Sequence, residues 1–431
     1  MAREVGLLSG GQRLLVWFLL VAFPVPLVVL LWYQMGGDPR EKIFIALGMM
    51  AYCWWLLAIV LSTRPRRLEQ YVGLPHLYAL HGMLGVAGVV AMYLHSDNLF
   101  AAGIWARNFG QWAFVLALVL PSLAVFFLSG WITDHFQAMQ RLKRSLEKVL
   151  RHQLSVWIHR LNLVVVLLVW LHVHVIEKVA RHLLFMVLFD ICTIVTLTLY
   201  VWKKWLGPDA METAVVVENA ALNSSTRGFR LRPDKASVTA RPGDFYFIRV
   251  EHSGMSREWH PFSLANAGEN TLLFTIRQVG DYTRMIGQVP VGARVRLEGP
   301  YGRFDDEVAK SPAEAPLVLI GMGSGVAPLL SLAAGHPGRR IRLLWSVRRT
   351  EDAFYPERIR DLQQRSGGRM TATIQVGRFT WAKLRDTLTA EERGRGEFFM
   401  VGPNAAIISM QRTLKCLGVP WRRMHHERLT M

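Results

Sequence analysis

Four histidines, His81 with His95 and His159 with His172, lie inside apolar runs long enough to cross a bilayer. An ionisable ring in hydrocarbon is costly and rare, so four at nearly matched spacing call for a reason beyond packing. Axial ligation of iron by imidazole is the chemistry they suit. On a helix rising 1.5 Å per residue, the step from His81 to His95 covers about 21 Å of a hydrocarbon core roughly 30 Å thick. Two such helices side by side would hold two b-type haems, one between His81 and His159 and one between His95 and His172. The helical phase is favourable for the first helix, where His95 returns to within about 40° of His81. On the second, His172 stands about 140° from His159, which needs a π-bulge or strong winding, whereas His174 is only about 60° away. Spacing alone therefore leaves His174 as an alternative to His172. A lone histidine in a span is usually a hydrogen-bonding bridge; the pairing is what points to a metal. Cys53, Cys192 and Cys416 are scattered and no C-x-x-C-H occurs, so haem would be held without thioether bonds, and no disulfide framework is expected.

Further along, Trp259-His260-Pro261-Phe262-Ser263 puts aromatics, a proline-stiffened turn and a hydroxyl where a flavin could rest, with Phe262 against its rings and Ser263 bonded to its edge. Arg277, Gly280 and Thr283 follow, a cation, a glycine and a hydroxyl able to hold a pyrophosphate. After an apolar run at Leu317–Ile320 comes Gly321-Met322-Gly323-Ser324-Gly325-Val326-Ala327-Pro328. A glycine-rich turn from strand into helix lets the backbone approach a dinucleotide phosphate. A second strand, Ile341–Val347, ends at Ser346-Val347-Arg348-Arg349, where cations could take a 2′-phosphate and favour NADP over NAD. A third, Glu397–Val401, runs into Gly402-Pro403, a turn suited to approach a nicotinamide.

The elements that must carry these residues divide the chain in two. Apolar residues make up 52% of the 431 and are concentrated before about residue 204, where six spans fit: Arg13–Tyr33, Phe44–Leu61, His76–His95, Trp112–Trp131, Val156–Ile176 and Leu183–Trp202. Pro24 and Pro26 should kink the first, which is too poorly flanked for a cleaved signal peptide. The remainder reads as strands alternating with helices, with Gly243–Val250 and Leu272–Gln278 as strands of a small antiparallel barrel ended by the turn Gly299-Pro300-Tyr301-Gly302. The expected architecture is an all-α six-helix transmembrane bundle (1–205), a β-barrel FAD domain (206–308) and an α/β nucleotide-binding domain (309–431).

Charge sets the orientation. Arg64, Arg66 and Arg67, then Arg141, Lys143, Arg144, Lys148 and Arg151, then Lys203 and Lys204 all fall on one side, which the positive-inside rule makes cytoplasmic together with the N-terminus and the C-terminal half. This topology and anionic headgroups account for most of the formal charge of +18. No basic stripe interleaved with aromatics is present, so nucleic acid is not an expected partner. The glycosylation triplet at Asn223 falls on the cytoplasmic side and is discounted.

Taken together, these residues resemble the NADPH oxidase and ferric reductase family over nearly the whole chain. The family's H-P-F-[ST] flavin motif is matched by His260–Ser263, preceded by Glu258-Trp259, and its nucleotide loop by Gly321–Pro328. Trp157-Ile158-His159-Arg160-Leu161 followed by His172 resembles the bis-histidine helix of the family and of its haem-only relatives, and on that resemblance His172 is preferred to His174. The resemblance implies FAD, NADPH and two b-type haems in an enzyme of the plasma or inner membrane. Electrons would pass from cytoplasmic NADPH to an acceptor on the far side, dioxygen giving superoxide or else a ferric chelate. A transporter or proton channel with a nucleotide-sensing domain is the remote alternative. Two departures stand out. Val401 replaces the cysteine of the family's Cys-Gly-Pro, so a thiol contribution to hydride transfer is missing. Leu429 stands where an aromatic often stacks on the flavin. No calcium-binding loop or docking extension is visible, so no obligatory protein partner is expected.

Overall fold

The computed structural model describes residues 10–100, 103–127, 152–206, 212–235, 240–256, 258–266 and 269–428. The chain separates into two compact units, Met1–Pro208 and Asp209–Met431.

The first unit is helical: α1 (Gly10–Val21), α2 (Val25–Gln34), α3 (Pro39–Ser62), α4 (Arg66–Val72), α5 (Leu74–Asn98), α6 (Ile104–Phe127), α7 (His152–Arg160), α8 (Asn162–His174), α9 (Glu177–Ala180) and α10 (Leu183–Val201). Six stretches are long and apolar enough to cross a membrane, counting α1–α2 and α7–α8 as one span each. Their outward faces carry Phe18, Trp112 and Ile194, each more than half exposed, while Tyr52, Leu56, Phe185 and Phe189 are buried between helices. Helices apolar on all sides belong in hydrocarbon rather than water. The expected kink falls at residues 22–24, before Val25. Two expected boundaries are corrected. The fourth span begins at Ile104, not Trp112, because Gly103 at φ 94° ends the preceding turn and the polar Arg107, Asn108 and Gln111 are carried on the helix; Trp131 lies outside the described residues. The fifth span is not one helix: it breaks at Leu161 between α7 and α8.

The second unit contains two sheets. Six antiparallel strands, β1 (Glu212–Asn223), β2 (Thr226–Pro233), β3 (Phe245–Glu251), β4 (His260–Ser263), β5 (Leu272–Arg277) and β6 (Arg294–Tyr301), run in the order β4-β3-β6-β1-β2-β5 around a core of Phe229, Tyr246, Ile248 and Phe274. The expected barrel is not closed: between β4 and β5 there is one bridge, Leu264 to Phe274. With four residues, one of them the donor-less Pro261, β4 is too short to extend that seam. Five parallel strands, β7 (Leu317–Met322), β8 (Ile341–Val347), β9 (Met370–Val376), β10 (Glu397–Gly402) and β11 (Met424–Arg428), form the other sheet in the order β11-β10-β7-β8-β9. Every residue of β7 is buried, as a central parallel strand covered on both faces requires. The order of succession reverses between β7 and β10, with β8 and β9 added on one side and β10 and β11 on the other, so the crevice beyond their carboxyl ends is where such a sheet receives ligands.

Candidate cofactor sites

In the helical unit the two histidine pairs meet. The ring centres of His81 and His159 are 5.8 Å apart with planes at 73°, and those of His95 and His172 are 6.5 Å apart at 85°. A metal held by two imidazole nitrogens at about 2.0–2.1 Å each would place the ring centres roughly 6.3–6.5 Å apart; the outer pair stands at that separation, and the inner pair, at 5.8 Å, would have to open by about 0.5 Å. Three rings are oriented from behind by backbone carbonyls: His81 Nδ1 bonds Ala58 O at 2.9 Å, His95 Nδ1 bonds Phe44 O at 2.9 Å, and His172 Nδ1 bonds Ala106 O at 2.7 Å. A carbonyl only accepts, so Nδ1 carries the proton and the Nε2 lone pair is left for a metal, the usual arrangement around ligating histidine. The fourth ring, His159, has Asn162 Nδ2 at 3.4 Å from its Nδ1, and the same amide donates to the His159 carbonyl at 2.6 Å.

Despite the unfavourable helical phase, both histidines of the fifth span reach α5. The two helices meet at Leu161, and His159 on α7 and His172 on α8 each stand opposite a ring of α5. His174 is placed elsewhere: its Nδ1 donates to Trp170 O at 2.8 Å and its Nε2 lies 3.3 Å from Asp190. Two glycines that sequence reasoning passed over seat the outer rings. A Cβ on Gly48 would stand 2.6 Å from His95, and one on Gly110 would stand 3.0 Å from His172. Among the described residues no group of three or more His, Cys, Asp or Glu converges on a point.

In the second unit β4 pairs with β3, setting Ser263 opposite Phe245 and Phe262 opposite Tyr246, and all four β4 residues are half-buried. Phe262 packs on the barrel core. His260 stacks on Tyr282 at 3.7 Å between centres, and Arg249 lies over Trp259 at 4.9 Å. Tyr282 also accepts a hydrogen bond from the Val250 amide at 3.1 Å, and burial pushes its hydroxyl up to about 12, so it stays protonated at neutral pH. The ring stack was not legible in the sequence, where Tyr282 sits between residues singled out for phosphate. Of those, Arg277 at the end of β5 reaches the nucleotide sheet: a Cβ on Gly323 would be 3.9 Å from its Nη1. Thr283 is occupied locally, its hydroxyl accepting from the amides of Val279 and Gly280 at 3.0 Å each. Gly280 is thereby part of a closed turn.

The glycine-rich turn stands at the carboxyl end of β7, leading through Gly323–Gly325 into the helix Val326–Gly335 that contains Pro328. Each glycine has a local reason. A Cβ on Gly321 would press on Val326 at 2.9 Å, Gly323 takes φ 63°, and a Cβ on Gly325 would come within 2.2 Å of the Val401 carbonyl. Trp345 Nε1 donates to Gly323 O at 2.8 Å and fixes the turn from β8. Ser324 is half-buried beside it. Gly402 is also a packing glycine, since a Cβ there would meet Met322 at 2.7 Å, and Pro403 begins the helix Asn404–Cys416. The Val401 side chain is fully buried in the core with Val326 and Leu329 and presents no atom to the crevice. Leu429 lies outside the described residues.

At the end of β8, Ser346 donates to Gly377 O at 2.7 Å, joining β8 to the turn after β9. Arg349 pairs with Glu351 at 3.2 Å and Asp352 at 3.5 Å. Arg348 is exposed and makes no ion pair with the described residues.

Residues 213–305 match the oxidoreductase FAD-binding domain family. The electron transfer subunit of dihydroorotate dehydrogenase B (NAD(+)) from Fusobacterium nucleatum is 27% identical over 154 residues, covering 34% of this chain and 58% of that one. NADPH oxidase 1 of Mus musculus is 27% identical over 139 residues, covering 31% of this chain and 23% of the mouse protein. The chain thus spans little more than half, or less, of the length of these curated relatives. Among solved structures, an Amycolatopsis cytochrome P450 reductase is 27% identical with a TM-score of 0.45, covering 51% of this chain and 70% of that one. The family match lies wholly within the second unit. That unit carries an FAD-binding oxidoreductase domain joined to a parallel α/β domain, preceded in the chain by six apolar helices.

Proposed function

We propose that this chain transfers electrons across a membrane, from NADPH to an acceptor on the far side, using FAD and two b-type haems. The observation that carries the reading is the pair of histidine couples at 5.8 and 6.5 Å, three of whose rings are turned by backbone carbonyls so that Nε2 is presented. When bound, FAD would accept hydride and release single electrons, and haem would exchange them one at a time; the protein supplies placement and electrostatics. His81 and His159 would hold the inner haem, His95 and His172 the outer. Trp259, His260, Pro261, Phe262 and Ser263 would cradle the flavin, with Arg277 beside its pyrophosphate. Gly321–Gly325 and Gly402-Pro403 would line the nicotinamide nucleotide, and Arg348 would take its 2′-phosphate. The mouse relative's name supports NADPH as donor and dioxygen as acceptor.

Arg64, Arg66, Arg67, Lys203 and Lys204 argue for a cytoplasmic second unit in a plasma or inner membrane. Dioxygen, giving superoxide, is the favoured acceptor, because the connections on the outer side are short in the sequence. Oxidation of NADPH by purified protein, with oxygen or a ferric chelate supplied separately, decides it. Superoxide dismutase-sensitive dye reduction in oxygen supports the reading. Turnover with ferric chelate alone would make the protein a ferric reductase.

A further inference from the structure

α10 carries one acidic residue inside its span, Asp190, and a carboxylate in hydrocarbon must be held by partners. Two polar side chains of α8 face it, with Trp170 as the donor. Trp170 Nε1 donates to Asp190 Oδ1 at 2.7 Å, and His174 Nε2 lies 3.3 Å from the same oxygen. His174 is folded back on its own helix, its Nδ1 donating to the Trp170 carbonyl at 2.8 Å and its ring 4.3 Å from that of Trp170. At about 100° per residue, Trp170 and His174 sit within about 40° of each other and about 160° around the helix from His172. Asp190 therefore grips the back of the turn whose front is His172. α10 is itself fixed to α3, where the Tyr52 hydroxyl lies 2.9 Å from Thr193 Oγ1 and the Tyr52 ring 4.8 Å from Phe189. α3 is also the helix that offers the Phe44 carbonyl and Gly48 to His95. Both outer rings are thus indexed to α3, His95 directly and His172 through Thr193, Asp190 and Trp170.

We propose that Asp190 is a positioning residue that locks the rotation of the last turn of α8 and so aims His172 at His95. The inference rests on the haem reading above. A turn of about 20° would move a ring nitrogen about 6 Å from the helix axis by about 2 Å, the length of a metal–imidazole bond. The clamp lies beside the outer pair alone, so its loss should leave the inner pair unaffected.

The test uses the full-length protein in detergent, with haem per chain, the low-temperature EPR signals and the two midpoint potentials measured for wild type, Asp190→Leu, Asp190→Asn and Trp170→Phe. Asp190→Leu should lower haem from two per chain towards one, or displace one EPR signal and one midpoint while the other stays fixed. Asp190→Asn, which keeps an acceptor oxygen for Trp170, should restore two haems with near-wild-type signals. Trp170→Phe should move the same signal by less. Two haems with both signals and midpoints unchanged in Asp190→Leu would overturn the proposal, as would equal disturbance of both haems. If Asp190→Leu does not accumulate, an unchanged Trp170→Phe overturns it and a single displaced signal supports it. Wild type without haem would instead defeat the haem reading itself.

Discussion

Gly48 and Gly110 have no chemistry of their own, yet they decide where the outer histidine rings can lie. A methyl at Gly48 would stand 2.6 Å from His95, so Gly48→Ala should turn that ring out of line and lower haem from two per chain towards one, read as the haem-to-protein ratio. The inner pair, seated against Ala58 O, should keep its haem. On the proposed reading, nucleotide choice in the second unit turns on Arg348, since Arg349 is taken up by Glu351 and Asp352. A charge-assisted phosphate contact contributes about 1.5–3 kcal/mol. Arg348→Ala should therefore weaken NADPH by roughly ten- to a hundredfold and NADH far less, measured as KM for each; equal losses would place this arginine elsewhere. The histidines were legible in the sequence because ionisable rings stand out in apolar runs. The choice between His172 and His174 was not legible from spacing, because it depends on partners on other elements, among them Asp190, 16 residues beyond His174 in the sequence. Tyr282 was likewise hidden, its partner His260 being on another element.

Helix ends and strand ends place most of the candidate groups, His81 in the body of α5 excepted. Hydropathy located the six spans but could not show that the fifth is two helices, since Leu161 and Asn162 bear neither proline nor glycine to mark the break. The side-chain amide of Asn162 bonds the His159 carbonyl beside that break, a local substitution for a lost helical bond. The barrel was anticipated from alternating strands, but its open seam follows from the shortness of β4, which alternation does not encode. In the parallel sheet the glycine-rich turn was legible as a motif, while the reason for Gly325 was not: it is the close approach of β10. Gly325→Ala would force a Cβ to 2.2 Å from the Val401 carbonyl, and overpacking of this kind costs about 1–3 kcal/mol. The variant should lower the thermal midpoint of the second unit and weaken nucleotide binding. Haem content should be unchanged, because the histidine pairs lie in the other unit.

At the scale of the whole molecule, the division at Pro208 separates a unit that fits haem from one that fits FAD and a nicotinamide nucleotide. A fragment from Pro208 to Met431 should fold, bind FAD weakly and reduce artificial dyes or ferric chelates with NADPH, while making little superoxide. Superoxide formation at the rate of the intact protein would remove the need for the membrane route. The central claim, that the two units form one electron path, is tested most directly by anaerobic addition of NADPH to the purified, FAD-loaded full-length protein while its visible spectrum is recorded. The account predicts two b-type haems per chain, both reduced by NADPH and reoxidised when oxygen is admitted. A protein without haem, or one whose haem stays oxidised while its flavin is reduced, would contradict it.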